Sequence, residues 1–144
     1  MENSLKQYNE LFELANQARL NSYCPYSHFA VGAALLCKDG TVYVGMNIEN
    51  ASYTPTVCAE RVAFFRAIAD GKRDFLAIAI VGGPFGEEAN AITAPCGVCR
   101  QVMSEFAGGD FKVILSGGDK PTVYTLSELL PCSFDKASLA RAEN

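Results

Sequence analysis

Three cysteines divided between two distant segments constrain this chain more than any other feature. Cys58 heads Cys58-Ala59-Glu60-Arg61, and two more thiols follow in Pro95-Cys96-Gly97-Val98-Cys99-Arg100-Gln101. If all three bind one Zn²⁺, the fold must bring both segments to one point. Three thiolates leave the fourth tetrahedral position open, and an open position marks a catalytic zinc site, whereas a structural site is closed by four protein ligands. Glu60 lies two residues beyond Cys58, near enough along the chain to move a proton on a water held there. Cys96-x-x-Cys99 alone reads equally as a redox pair or as half of a structural zinc site.

Local structure favours convergence. Cys96 starts a predicted helix that ends at Gly108-Gly109, so Cys96 and Cys99 share one face of its first turn. Cys58 opens another helix, with Val62, Phe65 and Ala69 on one face and a stop at Gly71. Thiolates near helix N-termini are stabilised by the positive end of the helix dipole. Three thiolates on one Zn²⁺ leave a net charge of −1, which nearby positive charge would offset. Arg61 is the candidate for donating to ligand sulfur, with a solvated helix arginine as the plainer reading, and Arg100 is a weaker candidate. The only histidine, His28, lies in a different kind of segment; it reads as a fourth ligand of a closed site or as an ordinary surface or core residue. Cys24, Cys37 and Cys132 read as small buried residues or incidental thiols.

Along the rest of the chain, Ser4 with Gln7 is a capping-box signal for a first helix reaching about Leu20. Leu5, Tyr8, Leu11, Phe12, Ala15 and Ala18 follow helical spacing within it. Residues 21–28 form a polar loop. A strand from Phe29 to Cys37, a Lys38-Asp39-Gly40 turn and a strand from Thr41 to Met46 make a hairpin. Residues 47–56 form a long loop. Phe75 to Val81 is a continuous apolar run, bounded by Gly82-Gly83-Pro84, that suits a strand buried on both faces. After a loop over 85–94 and the second cysteine helix come strands at Phe111–Leu115 and Thr122–Tyr124. They pair antiparallel across a short Gly-rich connection. A short helix spans Leu126–Leu130 before Pro131, and the polar tail from Asp135 to Asn144 is expected to be loose at its end. The alternation of elements predicts one α/β domain over residues 1–144, a three-layer sandwich with a five-stranded mixed sheet flanked by helices.

The composition limits the partners. With 16 acidic and 12 basic residues, the net charge of −4 gives no footprint for nucleic acid. No apolar run is long enough for a membrane span. Met1-Glu2-Asn3-Ser4 lacks the marks of a signal peptide, so a cytoplasmic chain with free thiols is expected.

The cysteine segments resemble the zinc-dependent nucleobase deaminases, whose general form is Cys/His-x-Glu followed by Pro-Cys-x-x-Cys. Over nearly its whole length the chain is similar to the small homotetrameric cytidine deaminases. The similarity runs in order through Cys24-Pro25-Tyr26-Ser27-His28-Phe29-Ala30-Val31-Gly32-Ala33-Ala34, Gly45-Met46-Asn47-Ile48-Glu49-Asn50-Ala51-Ser52-Tyr53, the two cysteine segments and Leu129-Leu130-Pro131-Cys132-Ser133-Phe134. It implies one Zn²⁺ per chain on Cys58, Cys96 and Cys99, and a zinc-activated water with Glu60 as proton shuttle. Cytidine and 2′-deoxycytidine would become uridine and 2′-deoxyuridine plus ammonia, in pyrimidine salvage. It further implies that Asn47 and Glu49 bind the ribose hydroxyls, Phe29 stacks on the pyrimidine, the Ala59 N–H meets the base O2, and Ala51 joins the substrate-binding set. Tyr53 and Phe134 would reach a neighbouring site, so the partners are a nucleoside and three further copies of the chain. On residue chemistry alone, Asn47-x-Glu49 reads first as an ordinary polar loop, and core packing is the commoner fate of either Phe.

Three rivals remain at this stage. A related deaminase could act on a modified aminopyrimidine nucleoside of the blasticidin type. A non-catalytic zinc-stabilised module would have a closed site and no role for Glu60. A thiol-disulfide oxidoreductase using Cys96 and Cys99 would work without metal.

Overall fold

A computed structural model describes residues 2–89, 91–117 and 120–140. Residues 118–119 of the expected Gly-rich connection, and the end of the tail at 141–144, lie outside the described residues. The elements run α1 (Glu2–Arg19), β1 (Phe29–Cys37), β2 (Val42–Met46), α2 (Ala59–Ala69), β3 (Phe75–Pro84), α3 (Gly97–Phe106), β4 (Lys112–Leu115), β5 (Thr122–Thr125), α4 (Leu126–Leu129) and α5 (Lys136–Ala140). The five strands form one sheet in the order β2-β1-β3-β4-β5. β1 is antiparallel to both β2 and β3, β3 is parallel to β4, and β4 is antiparallel to β5. The single parallel pair is the one that needs a crossover, and α3 lies in it.

Period-two alternation divides the strand side chains between two cores. Ala33, Leu35 and Cys37 of β1, Ile78 and Ile80 of β3, and Val113 and Leu115 of β4 face Ala63, Phe64 and Ala67 of α2 and Cys99 and Met103 of α3. Ala34 and Leu36, Ala77, Ala79 and Val81, and Ile114 face Leu11 and Ala15 of α1. This is the expected three-layer sandwich, with α1 on one face and both cysteine helices on the other. Phe64 anchors α2: its ring lies 5.1 Å from Phe75 and 5.8 Å from Phe111. A Cβ on Gly45 of β2 would collide with Ala59 O and Ala63 N, so this glycine is what lets the first turn of α2 lie directly on the sheet.

Several local expectations are corrected. Ser4 does not begin α1; it lies inside a helix already formed at Glu2. The buried face of α2 is Ala59, Glu60, Ala63, Phe64 and Ala67, not Val62, Phe65 and Ala69. β3 runs through Gly82 and Gly83 to Pro84. Gly82 permits this because Thr93 occupies the space a Cβ would need. The tail contains the short α5. No helix among the described residues is long and apolar enough to cross a membrane.

A candidate zinc centre with a buried carboxylate

Cys58 and Cys96 are the N-cap residues of α2 and α3, both with extended backbone. Cys99 is the third residue of α3 and is buried. The sheet thus aims two helix N-termini at one point. Cys58 and Cys96 sulfurs are 3.7 Å apart, and Cys96 and Cys99 sulfurs 3.5 Å apart. Ligands at about 2.3 Å on a tetrahedral zinc stand about 3.8 Å from each other, so the donor set fits one Zn²⁺. All three sulfurs lie within 4.8 Å of one another, and no fourth histidine, cysteine or carboxylate joins this cluster among the described residues.

Arg61 Nη2 donates to Cys58 Sγ at 3.4 Å. Its Nε is buried without a hydrogen-bond partner. Hydrogen bonding with Cys99 holds the Cys58 thiol down at about 5, with Arg61 and Cys96 adding to the effect against the cost of burial. The same contact, burial and the Glu60 charge push Cys99 up. Arg100, the weaker candidate for sulfur, turns away: its Nε donates to Pro95 O at 2.8 Å and its Nη1 to Leu129 O at 2.7 Å.

Glu60 is only 4% exposed on the first turn of α2. Burial, then the Cys58 charge, pushes its carboxyl up to about 7. A carboxyl near neutrality can accept and return a proton with similar ease. Ala59 is the first residue of α2, where a backbone N–H lacks an intrahelical acceptor.

Of the expected substrate residues, Asn47, Glu49, Ala51 and Tyr53 lie in the loop after β2, which is fastened to the loop before β1, whereas Phe29 begins β1, Ala59 begins α2 and Phe134 lies between α4 and α5. Tyr23 pairs with Ile48, Ile48 pairs with Val57, and the Glu49 N–H donates to Tyr23 O at 2.8 Å. Glu49 accepts from the Tyr26 and Ser27 N–H groups at 3.0 and 3.1 Å. Hydrogen bonding from Ser27, with Tyr26 adding, holds its carboxyl below the usual range. Asn47 is buried and busy: Oδ1 accepts from Val31 N–H and the Ser22 hydroxyl, and Nδ2 donates to Phe29 O at 2.8 Å. It latches the start of β1, a structural task not visible in the sequence, and keeps one Nδ2 hydrogen in reserve. A cavity of about 350 Å³ joins Glu49 and Tyr53 with Tyr26, Ser27 and Thr56. Phe29, Asn47, Ala51, Ala59 and Phe134 do not line it. Phe29, Tyr53 and Phe134 are 40%, 72% and 63% exposed, and Ala51 is exposed too. A cavity of about 750 Å³ lies on the α1 side, away from the cysteines.

Sequence reasoning missed Arg19. It is buried at the end of α1, donating to Ala30 O at 3.0 Å and to Pro84 O and Glu87 O at 3.2 Å, and so ties β1 to the end of β3. Its sequence signal was that of any basic residue in a last helical turn.

Residues 5–115 match the model of the cytidine and deoxycytidylate deaminase zinc-binding region, and the chain belongs to this family. The cytidine deaminase of Sporosarcina psychrophila is 47% identical over 135 residues, covering 92% of this chain and 95% of the relative. That of Halalkalibacterium halodurans is 52% identical over 126 residues, covering 86% and 91%. The crystal structure of cytidine deaminase from Burkholderia pseudomallei superposes with a TM-score of 0.80 at 46% identity, covering 88% of this chain and 98% of that one. A blasticidin-S deaminase of Bacillus cereus is more distant, at 33% identity over 93% of this chain and 96% of the relative. The protein is thus a zinc-dependent deaminase.

Proposed function

We propose that the chain converts cytidine and 2′-deoxycytidine, with water, to uridine and 2′-deoxyuridine plus ammonia. The observation that carries this reading is the buried Glu60 carboxyl beside three convergent thiols, in a chain whose relatives at 47–52% identity are cytidine deaminases. Bound at Cys58, Cys96 and Cys99, zinc supplies a Lewis acid that lets water ionise near neutral pH. Glu60 takes the proton released by the attacking water and delivers it to ring N3, which makes C4 electrophilic. The hydroxide oxygen bonds to C4, and Glu60 then takes the second proton from the new C4 hydroxyl and passes it to the amine as the C4–N bond breaks and the C4 carbonyl forms. Arg61 offsets the thiolate charge.

Substrate binding follows from the same loops. The reserve Nδ2 hydrogen of Asn47 and the Glu49 carboxylate take ribose hydroxyls, and the free Ala59 N–H takes the base O2. The Phe29 ring offers a face to the pyrimidine, Ala51 and Tyr53 border the site, and Phe134 closes it from a neighbouring subunit. The exposure of Phe29, Tyr53 and Phe134, together with Phe65 on α2 and Val98 on α3, supports a homotetramer with composite sites. The expected setting is cytoplasmic pyrimidine salvage.

An ultraviolet assay with cytidine and light scattering test this reading; the scattering mass should be four times 15.5 kDa. A fully active monomer would refute the composite site. The 5′-monophosphates should be poorer than the nucleosides by about tenfold or more in kcat/KM, because the Glu49 carboxylate repels a nearby phosphate. Equal turnover of the monophosphates would remove Glu49 from the ribose subsite. Faster turnover of blasticidin S than of cytidine would replace the substrate assigned here.

A further inference from the structure

We infer that Gln101 is a positioning residue for Phe134, and that α3 thereby holds the metal thiols and the pocket-closing segment in one register. The inference rests on the pocket role proposed above for Phe134. Gln101 lies two residues beyond Cys99, and its Nε2 donates to Phe134 O at 2.8 Å. Its neighbour Arg100 spans Pro95 O, just before Cys96, and Leu129 O. One helical turn therefore grips the metal loop on one side and the segment 129–134 on the other.

Within its own subunit the segment has little else to hold it. Leu129 and Leu130 pack at the edge of the core, but no described residue beyond them enters either core. Pro131, Cys132 and Phe134 are exposed, and Cys132 has a left-handed φ of 55°. Besides the helical bonds of α5, the hydrogen bonds among the described residues of this stretch join Asp135 to Ala137 and Ser138, within the stretch itself. Among the described residues, the Gln101 amide makes the only hydrogen bond from the body of the protein to residues 131–140. Without it, Phe134 would sample many positions, and substrate binding would have to order the segment. A positioning role raises KM and leaves the proton chemistry of Glu60 intact.

The test is a kinetic double-mutant cycle on the zinc-loaded enzyme, with Gln101→Ala, Gln101→Glu, Gln101→Lys and Phe134→Ala. Gln101→Glu keeps the shape but has no donor for the carbonyl, whereas Gln101→Lys restores a donor. Gln101→Ala and Gln101→Glu should raise KM for cytidine about 3–10-fold, in the range of one lost hydrogen bond, with kcat changed less than about twofold. Zinc content should stay at one per chain. Gln101→Lys should recover most of the loss. Adding Gln101→Ala to Phe134→Ala should change nothing further, and amide exchange over 131–140 should quicken in Gln101→Ala. A normal KM in Gln101→Ala, or full additivity of the two substitutions, would overturn the inference. If Phe134→Ala alone left KM unchanged, the pocket role of Phe134 would fail, and faster exchange in Gln101→Ala would then mark a tether without function.

Discussion

Glu60→Ala is expected to abolish nearly all deamination while the protein keeps its zinc. Glu60 is not among the three sulfur donors. One general acid–base role is worth about 10²–10⁴-fold, and Glu60 serves water activation, N3 protonation and amine departure in turn. The loss in kcat should therefore reach at least about 10⁴-fold. Removing a buried carboxyl also relieves a desolvation penalty, so thermal stability should hold or rise unless the small cavity outweighs it. Glu60→Gln tests the same point with the volume kept, and should be nearly as inactive. Elemental analysis with single-turnover kinetics decides. Near-normal turnover with zinc in place would require another base, whereas loss of zinc from Glu60→Ala would move the carboxylate into the coordination sphere.

The contrast between Ser4 and Thr125 explains how far local signals reach. Both head a Ser/Thr-x-x-Glu/Gln pattern. At Thr125 the capping box forms fully, with the Glu128 N–H reaching Thr125 and the Glu128 carboxylate accepting from the Thr125 N–H. At Ser4 the same pattern sits inside α1, where the Gln7 N–H already has a helical acceptor four residues back and needs no cap. The buried face of α2 was misjudged for a related reason. Val62, Phe65 and Ala69 have helical spacing and more apolar bulk, but close approach to the sheet selects the small stripe of Ala59, Ala63 and Ala67 beside Phe64. Phe65 is left half exposed. Bulk marks apolarity, and only tertiary distance determines which stripe fits.

The cysteine cluster was legible because its chemistry demands particular residues at particular spacings. Helix N-caps at Cys58 and Cys96, with Cys99 one turn on, follow from chain geometry alone. The supporting residues were not legible, because their partners are backbone carbonyls and sequence carries no record of a carbonyl. Arg19, Asn47, Arg100 and Gln101 all act through such contacts. Arg61 lies three residues beyond Cys58 and Arg100 four beyond Cys96, and only Arg61 reaches sulfur, since Arg100 donates to Leu129 O instead.

Cys96→Ala should be inactive for a different reason, and its stability separates the metal's contribution from that of the fold. Cys96 is exposed and Cys99 is buried in the core shared by α2, α3 and the sheet. Removing either thiol breaks the three-sulfur site, so zinc should fall well below one per chain and deamination to background. A ligand that binds only the folded state at about 100–1,000 times its Kd adds about 3–4 kcal/mol. In a domain of this size that is of the order of 10 °C in Tm. Cys96→Ala should lose that amount and become insensitive to chelator, matching chelated wild type, because its missing side chain leaves no hole in the core. Cys99→Ala should lose the same amount plus a further ~1 kcal/mol for the cavity beside Met103 and Phe64. Calorimetry of both variants with and without chelator checks this. Full zinc and an unchanged Tm in Cys96→Ala would mean that another group completes the site. The three-cysteine assignment, and with it the open position beside Glu60, would then be lost.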